Sequence, residues 1–317
     1  MNAVFLDRES LDRNDLDLTA VETIVEHLTT YPQTTPAQVQ ERLRGQDIVI
    51  VNKVVLGREA LEAHPPRLIC VVATGVNNID LDACRDLGIT VCNSQGYGTD
   101  SVAQHALCLM LALSTRLLDY HQAVQRGDWH RSTQFCLLGY PIQELAEKTL
   151  VIVGHGTLGG RVADLARAFG MEVITAARPG NTASDDRKPL SELLPEADVI
   201  SLHCPLTDAT RDLIGTNELA RMKSTALLIN TARGGLINET ALADALQRGV
   251  IGGAGIDVVD GEPPDKSSPL LLQPLPNLIV TPHSAWGARE ARQRIVQQLV
   301  ENIQAWQQRQ PMRVVNA

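Results

Sequence analysis

The chain has 317 residues, 44% of them hydrophobic and 21% charged, and 37 acidic residues outweigh 28 basic ones to give a net charge of −9. At this length two domains are the natural expectation, since single cores stop growing at roughly 250–300 residues. The acidic balance argues against general affinity for nucleic acid or anionic lipid, and no apolar run reaches the roughly 18 residues of a membrane span.

Through the first ninety or so residues, short apolar runs alternate with helical patterns. AVFLD, DIVIVN, RLICVVATG and ITVCN read as strands, with helices over roughly Asp17 to Thr29 and Asp80 to Leu87. Such alternation implies parallel βαβ units. From Thr99 to Gln125 the pattern predicts one long helix, with Val102, Ala106, Leu109, Leu113 and Leu117 at helical spacing. It is too apolar for a free surface helix and is expected to pack between domains or against a second subunit. A loop follows through Trp129 to Pro141. At Lys148 the alternation restarts with TLVIVGHGTLGGRVADLARAFGMEVI, then ADVISLHCP, TALLINTA, GGAGIDVV and NLIVTPH. A closing helix from Arg289 to Gln308 carries Ile295, Leu299 and Ile303 on one face.

Cys70, Cys84, Cys92, Cys108, Cys136 and Cys204 are scattered singly without a C-x-x-C pair, so reduced core thiols are expected. The eight histidines show no zinc spacing, and no metal is expected. The segment MNAVFLDRES lacks the basic flank and apolar core of a secretory signal, which makes a cytoplasmic protein the expectation.

Gly154, Gly156 and Gly159 form G-x-G-x-x-G directly after TLVIV, at the mouth of a helix beginning near Leu158. The first glycine permits the tight turn, the second lets backbone approach a pyrophosphate, and the third lets helix sit close to strand. The backbone of Gly154, Gly156, Thr157, Leu158 and Gly159 is thus a candidate phosphate cradle at a helix N-terminus. His155 takes no role. The next strand ends in Thr175, Ala176, Ala177 and Arg178, without the carboxylate that binds the adenosine ribose in NAD-preferring folds. Arg178 beside Ala177 suits the extra phosphate of NADP, so NADP(H) is favoured and NAD(H) remains possible.

Three apolar runs break off at polar residues: ALLINTA before Arg233, GAGIDVVDG before Glu262 and NLIVTP before His283. If the runs are parallel strands, a guanidinium, a carboxylate and an imidazole emerge along one sheet edge, where open α/β sheets place their ligands. A cation can hold a substrate carboxylate while a carboxylate-backed histidine moves a proton.

The motifs VATGVNNIDL, GHGTLGGRVA, DVISLHCPLT, LINTARGGLIN, GIDVVDGEPP and TPHSAW span nearly the whole chain. On them the sequence resembles the D-isomer-specific 2-hydroxyacid dehydrogenases, and within that family the glycerate dehydrogenases or hydroxypyruvate reductases. The resemblance implies an α/β protein of two Rossmann-like domains. A flavodoxin-like substrate (catalytic) domain would be built from both termini, 1–98 and 287–317. A dinucleotide-binding domain over 99–286 would be inserted in it and include a dimerisation helix and loop, 99–141. Crossings would fall near Ser94 to Thr99 and near Trp286 to Arg289, with Gly96 and Gly98 suited to a hinge and catalysis in the cleft. A homodimer is also implied.

By the same resemblance, Arg233 binds the substrate carboxylate and C2 carbonyl. His283 is the acid/base that protonates the carbonyl oxygen as hydride arrives, and Glu262 is the partner that orients its ring and favours its protonated form. Thr74, Gly75 and Val76 resemble a backbone loop gripping the substrate carboxylate. Cys204 and Pro205 resemble a wall near the adenine, and Thr231, Ala232 and Asp257 the surroundings of nicotinamide, with Asp257 accepting from its carboxamide. Ser284 and Trp286 are expected to border the substrate pocket, with packing at the domain junction the equal alternative for Trp286. The expected reaction is reversible hydride transfer between NADP(H) or NAD(H) and a small D-2-hydroxy or 2-oxo acid, most readily hydroxypyruvate or glyoxylate. Rival readings are phosphoglycerate, phosphite and formate dehydrogenases of the same fold, or a non-catalytic dinucleotide-sensing corepressor. The short stretch after the closing helix speaks against the first, and Glu262, where formate enzymes typically carry glutamine, against the last of these enzymes.

Overall fold

A computed structural model describes residues 1–178, 187–272 and 274–316. The chain divides into two compact units, Met1–Gly98 with Gly287–Ala317, and Thr99–Trp286.

The first unit is built on strands β1 (Asn2–Phe5), β2 (His27–Thr30), β3 (Ile48–Val51), β4 (Leu68–Val71) and β5 (Thr90–Cys92), all parallel in the order β2-β1-β3-β4-β5. This is the flavodoxin-like order. β3 and β4, IVIV and LICV, are buried at every position, as strands covered on both faces must be. The edge strand β2 corrects the expected helix from Asp17 to Thr29: the helix spans only Thr19–Ile24, and Val25 turns extended. Its residues, HLTT, are mostly exposed, so no burial pattern marked them as a strand. The helix Arg289–Gln307 returns to this unit with Ile295, Leu299 and Ile303 buried. Arg292 holds it by a two-pronged ion pair to Asp15, whose carboxyl is thereby lowered to about 2.

The second unit carries β6 (Thr149–Val153), β7 (Glu172–Thr175), β8 (Val199–Leu202), β9 (Leu227–Asn230), β10 (Gly253–Ile256) and β11 (Leu278–Val280). The six are parallel in the order β11-β10-β9-β8-β6-β7. The chain runs from β6 outward to β7 and then back across to β8, so the topological switch lies between β6 and β8. Open α/β sheets bind their ligands at such a point, beside the carboxyl ends of the strands.

The single helix expected from Thr99 to Gln125 is two, Thr99–Ser114 and Leu117–Gln125, bent by 58°. The Ser114 and Thr115 hydroxyls both donate to the Leu111 carbonyl, and Arg116 adopts a left-handed backbone at φ 56°. Such side-chain competition for a helical carbonyl bends helices. The helix also finds packing partners within its own unit. Ala106, Leu109, Met110 and Leu113 are covered within their own unit, in a cluster with Leu150, Ile152, Val162 and Ile229. Past the bend large apolar side chains stand exposed, among them Leu117, Leu118, Trp129, Phe135 and Leu138. Among the described residues no single helix is long and apolar enough to cross a membrane.

The core-thiol expectation holds for Cys70, Cys84, Cys92 and Cys204. It fails for Cys108, on the outward face of the Thr99–Ser114 helix, and for half-buried Cys136.

Candidate active site

At the end of β6, Gly154 sits at φ +97°, and a Cβ there would lie 2.7–2.8 Å from backbone atoms of His203 and Cys204, which follow β8. Only glycine allows this approach across the switch point. A Cβ on Gly159 would strike the Gly154 carbonyl and the Ile152 side chain, so the helix Thr157–Ala168 can start hard against its strand. Gly156 caps that helix with open space over its Cα and no side-chain cap. The first-turn amides of Thr157, Leu158 and Gly159 find no acceptor among the described residues.

These free donors at a helix N-terminus suit a pyrophosphate. Two buried polar atoms on the same sheet edge also lack partners among the described residues, Thr231 Oγ1 after β9 and His203 Nδ1 after β8. Burial lowers His203 to about 4, so the ring is neutral near pH 7. Burial likewise raises the Cys204 thiol, which makes it contact surface rather than nucleophile. The residues present therefore fit a dinucleotide. Ala177 is fixed by its amide to the Lys188 carbonyl, and Arg178 is exposed at the end of the β7 segment.

Arg233, Asp257 and His283 follow three neighbouring parallel strands, β9, β10 and β11, and so emerge on one edge. His283 Nδ1 lies 2.5 Å from Glu262 Oε2, with each side chain about one-third exposed. A carboxylate only accepts, so Nδ1 carries the proton and Nε2 is left for a reacting group. Glu262 Oε1 accepts from the Val259 amide, and Glu239 Oε1 from the Asp260 amide, so two carboxylates hold the turn before Glu262. Burial, followed by the charges of Asp260 and Glu262, raises Glu239 above the usual carboxylate range. The turn also packs against Gly234, where a Cβ would overlap the Val259 carbonyl.

Arg233 spends one N–H on the Ala232 carbonyl, and its Nε and Nη2 donate to nothing among the described residues. Its backbone is braced by Asn230, which sequence reasoning missed. Asn230 is fully buried at the end of β9, its Nδ2 donating to the Arg233 carbonyl (2.8 Å) and its Oδ1 accepting from the Ala232 amide (3.0 Å). The available signal was a polar residue closing the apolar run LLIN.

Asp257 is 1% exposed. Its Oδ1 accepts from the Thr281 hydroxyl (2.6 Å) and the Ser284 amide (2.9 Å), and its Oδ2 from the Ala285 amide (3.0 Å). Much of its accepting capacity thus goes to the segment that carries His283. Ser284 is exposed and Trp286 half-buried after it.

In the other unit, Thr74, Gly75 and Val76 follow β4. The Thr74 hydroxyl donates to the Ser94 carbonyl, and Asn93 Nδ2 to the Thr74 carbonyl. The amides of Thr74, Gly75 and Val76 donate to no acceptor among the described residues, which leaves consecutive N–H groups of the kind that bind anions.

A family profile described as "D-isomer specific 2-hydroxyacid dehydrogenase, NAD binding domain" matches residues 107–285. A glycerate dehydrogenase of Methylorubrum extorquens is 44% identical over 99% of this chain and 98% of its own. A hydroxypyruvate reductase of Blautia hydrogenotrophica is 36% identical over the full length of both chains. Among solved structures, D-lactate dehydrogenase from Aquifex aeolicus complexed with NAD and lactic acid superposes with a TM-score of 0.79 at 30% identity, covering 98% of this chain and 96% of its own. An acyclic imino acid reductase in complex with NADPH and D-Arg superposes with a TM-score of 0.84 at 28% identity, covering 99% and 100%.

Proposed function

The chain belongs to the D-isomer specific 2-hydroxyacid dehydrogenase family, an NAD(P)-dependent oxidoreductase of CH–OH donors, and from that premise we propose that it reduces hydroxypyruvate or glyoxylate. The observation that carries this reading is the His283–Glu262 pair at 2.5 Å on the sheet edge shared with Arg233. The glycerate dehydrogenase and hydroxypyruvate reductase relatives supply the substrate class.

The uncommitted side of the Arg233 guanidinium binds the substrate carboxylate and polarises its C2 carbonyl. In the unit Met1–Gly98 with Gly287–Ala317, the consecutive amides of Thr74, Gly75 and Val76 are suited to a substrate carboxylate. His283, fixed through Nδ1, presents Nε2 and gives its proton to the carbonyl oxygen; in the reverse direction it takes the proton from the hydroxyl. Glu262 holds the ring in that tautomer and stabilises its charged form. Bound at the glycine turn, a nicotinamide dinucleotide supplies the hydride. The amides after Gly156 would hold its phosphates, Cys204 and Pro205 would line the adenine side, and Thr231, Ala232 and Asp257 would line the nicotinamide side. The free Thr231 hydroxyl supports that placement.

Arg178, with no carboxylate at the end of β7, favours NADP(H), and NAD(H) is the alternative. The unit Met1–Gly98 with Gly287–Ala317 serves as the substrate domain and Thr99–Trp286 as the dinucleotide domain. The protein works as a homodimer through its segment 99–141, in keeping with exposed Leu117, Trp129, Phe135 and Leu138. A cytoplasmic location is part of the same reading.

The test is steady-state oxidation of NADPH and NADH, in parallel, with a panel of 2-oxo acids. Turnover of hydroxypyruvate or glyoxylate with NADPH preferred is expected. A strong NADH preference overturns the argument from Arg178, and nucleotide binding without turnover of any oxo acid overturns the enzymatic reading in favour of a sensor.

A further inference from the structure

His283 has a left-handed backbone, φ 50°, which is strained for a residue with a Cβ. Something must hold it there. Its own amide reaches the carbonyls of Asp257 (2.8 Å) and Thr281 (3.0 Å), and the next two amides end on the Asp257 carboxylate. The remaining contacts come from far away in the sequence. Ser101 Oγ donates to the Ala285 carbonyl (2.6 Å), and His105 Nε2 lies 2.9 Å from Thr281 Oγ1. Ser101 and His105 are four residues apart on the helix Thr99–Ser114, so one face of that helix meets both ends of the segment 281–285.

The direction of the bonds follows from the buried acceptor. The Asp257 carboxylate can only accept, so the Thr281 hydroxyl gives it its single proton at 2.6 Å. The Thr281 oxygen is then an acceptor, and His105 must carry a proton on Nε2. A relay runs His105 to Thr281 to Asp257, and the last member grips the amides beside His283.

We propose that Ser101, His105 and Thr281 are positioning residues that, with Asp257, clamp the segment 281–285 and so aim His283 at the reacting oxygen. The role rests on the acid/base assignment of His283 made above. Among the described residues none of the three side chains hydrogen-bonds the His283 ring; Thr281 meets His283 through its carbonyl, which accepts from the His283 amide, and Ser101 and His105 act through the backbone on either side. Loss of one donor leaves the carboxylate free to turn and lets the strained backbone relax.

The experiment compares Thr281→Val and His105→Leu, which remove the hydroxyl and the ring donor, with Thr281→Ser and His105→Gln, which keep them. Turnover of hydroxypyruvate or glyoxylate falls about tenfold or more in the first pair, because small misplacement of a proton donor is costly, and stays within about twofold in the second. Nucleotide affinity changes by less than about threefold throughout, and the double variant His105→Leu/Thr281→Val is no slower than the worse single, as members of one relay require. Hydrogen exchange at the Ser284 and Ala285 amides quickens in the first pair only. Unchanged turnover in the first pair, or a loss that the second pair shares, overturns the clamp. If the unaltered protein reduces neither acid, the functional reading fails on its own, and exchange decides the clamp: quickening confined to the first pair supports it, and equal protection in all variants overturns it.

Discussion

Asn230→Leu keeps the volume of a buried side chain while removing both atoms that brace Arg233. The side chain is fully buried, and its two hydrogen bonds, 2.8 Å to the Arg233 carbonyl and 3.0 Å from the Ala232 amide, fold the chain back on itself directly after β9. At about 1 kcal/mol net for each bond, with a further contribution from the amide left without a partner, the loss is about 2–3 kcal/mol. For a unit of this size that lowers the unfolding midpoint by about 4–12 °C. The functional loss is separate, because the freed backbone no longer fixes the root of the guanidinium, and kcat/KM for the oxo acid falls about tenfold or more. Scanning calorimetry reads the first effect and initial rates at saturating cofactor read the second. A midpoint within about 1 °C of the parent together with kcat/KM within about twofold would refute the bracing role outright.

His283→Ala lowers kcat by about 10²–10⁴-fold with nucleotide binding retained, and near-parent turnover would remove it from the reaction. Glu262→Gln keeps an acceptor for the Val259 amide but loses the charge facing the ring, so kcat drops about tenfold or more while the fold persists; circular dichroism and initial rates check both halves. Gly154→Ala forces a Cβ against the His203 and Cys204 backbone at a left-handed φ, which costs about 1–3 kcal/mol and weakens nucleotide binding more than about tenfold in fluorescence titration. His203 links stability to pH. The unfolded chain takes its proton near pH 6.5, while the buried ring refuses it until about pH 4. Its contribution is therefore full above pH 6.5 and falls by about 3 kcal/mol as pH drops through 6.5 to 4, which chemical denaturation of the parent and of His203→Gln across that window measures.

Nearly all of the sheet architecture was legible, because parallel strands covered on both faces are written as uninterrupted apolar runs. IVIV, LICV and the LVIV of β6 are such runs, while VISL is broken only by Ser201 and LLIN closed only by Asn230. Where burial is one-sided or absent, the pattern disappears. β2 lies at an edge with exposed side chains and was read as helix. The break at Thr115 and Arg116 was equally silent, since apolar spacing continues through it from Leu113 to Leu117 while the cause is local competition for the Leu111 carbonyl.

The site divides the same way. The residues proposed to face a ligand stand where an apolar run ends, so Arg233, Glu262 and His283 can be picked out once the runs are taken as neighbouring strands. The residues that hold them in place carry no such mark. Asn230 looks like the last letter of a strand, and His105 sits in the middle of an apolar helix, 176 positions from the Thr281 it meets. A partner at that separation is fixed only by how the helix lies on the sheet, and that packing is decided by Leu109, Met110 and Leu113, not by the histidine. For the same reason nothing in the sequence marks that Asp257, proposed to lie beside the nicotinamide, also holds the segment carrying His283 through three hydrogen bonds of its own. A carboxylate with that many internal donors has little capacity left for a ligand, so Asp257→Asn should disturb the placement of His283 more than the affinity for nucleotide. A kcat that falls further than the nucleotide affinity would establish that order, and the reverse pattern would return Asp257 to the cofactor.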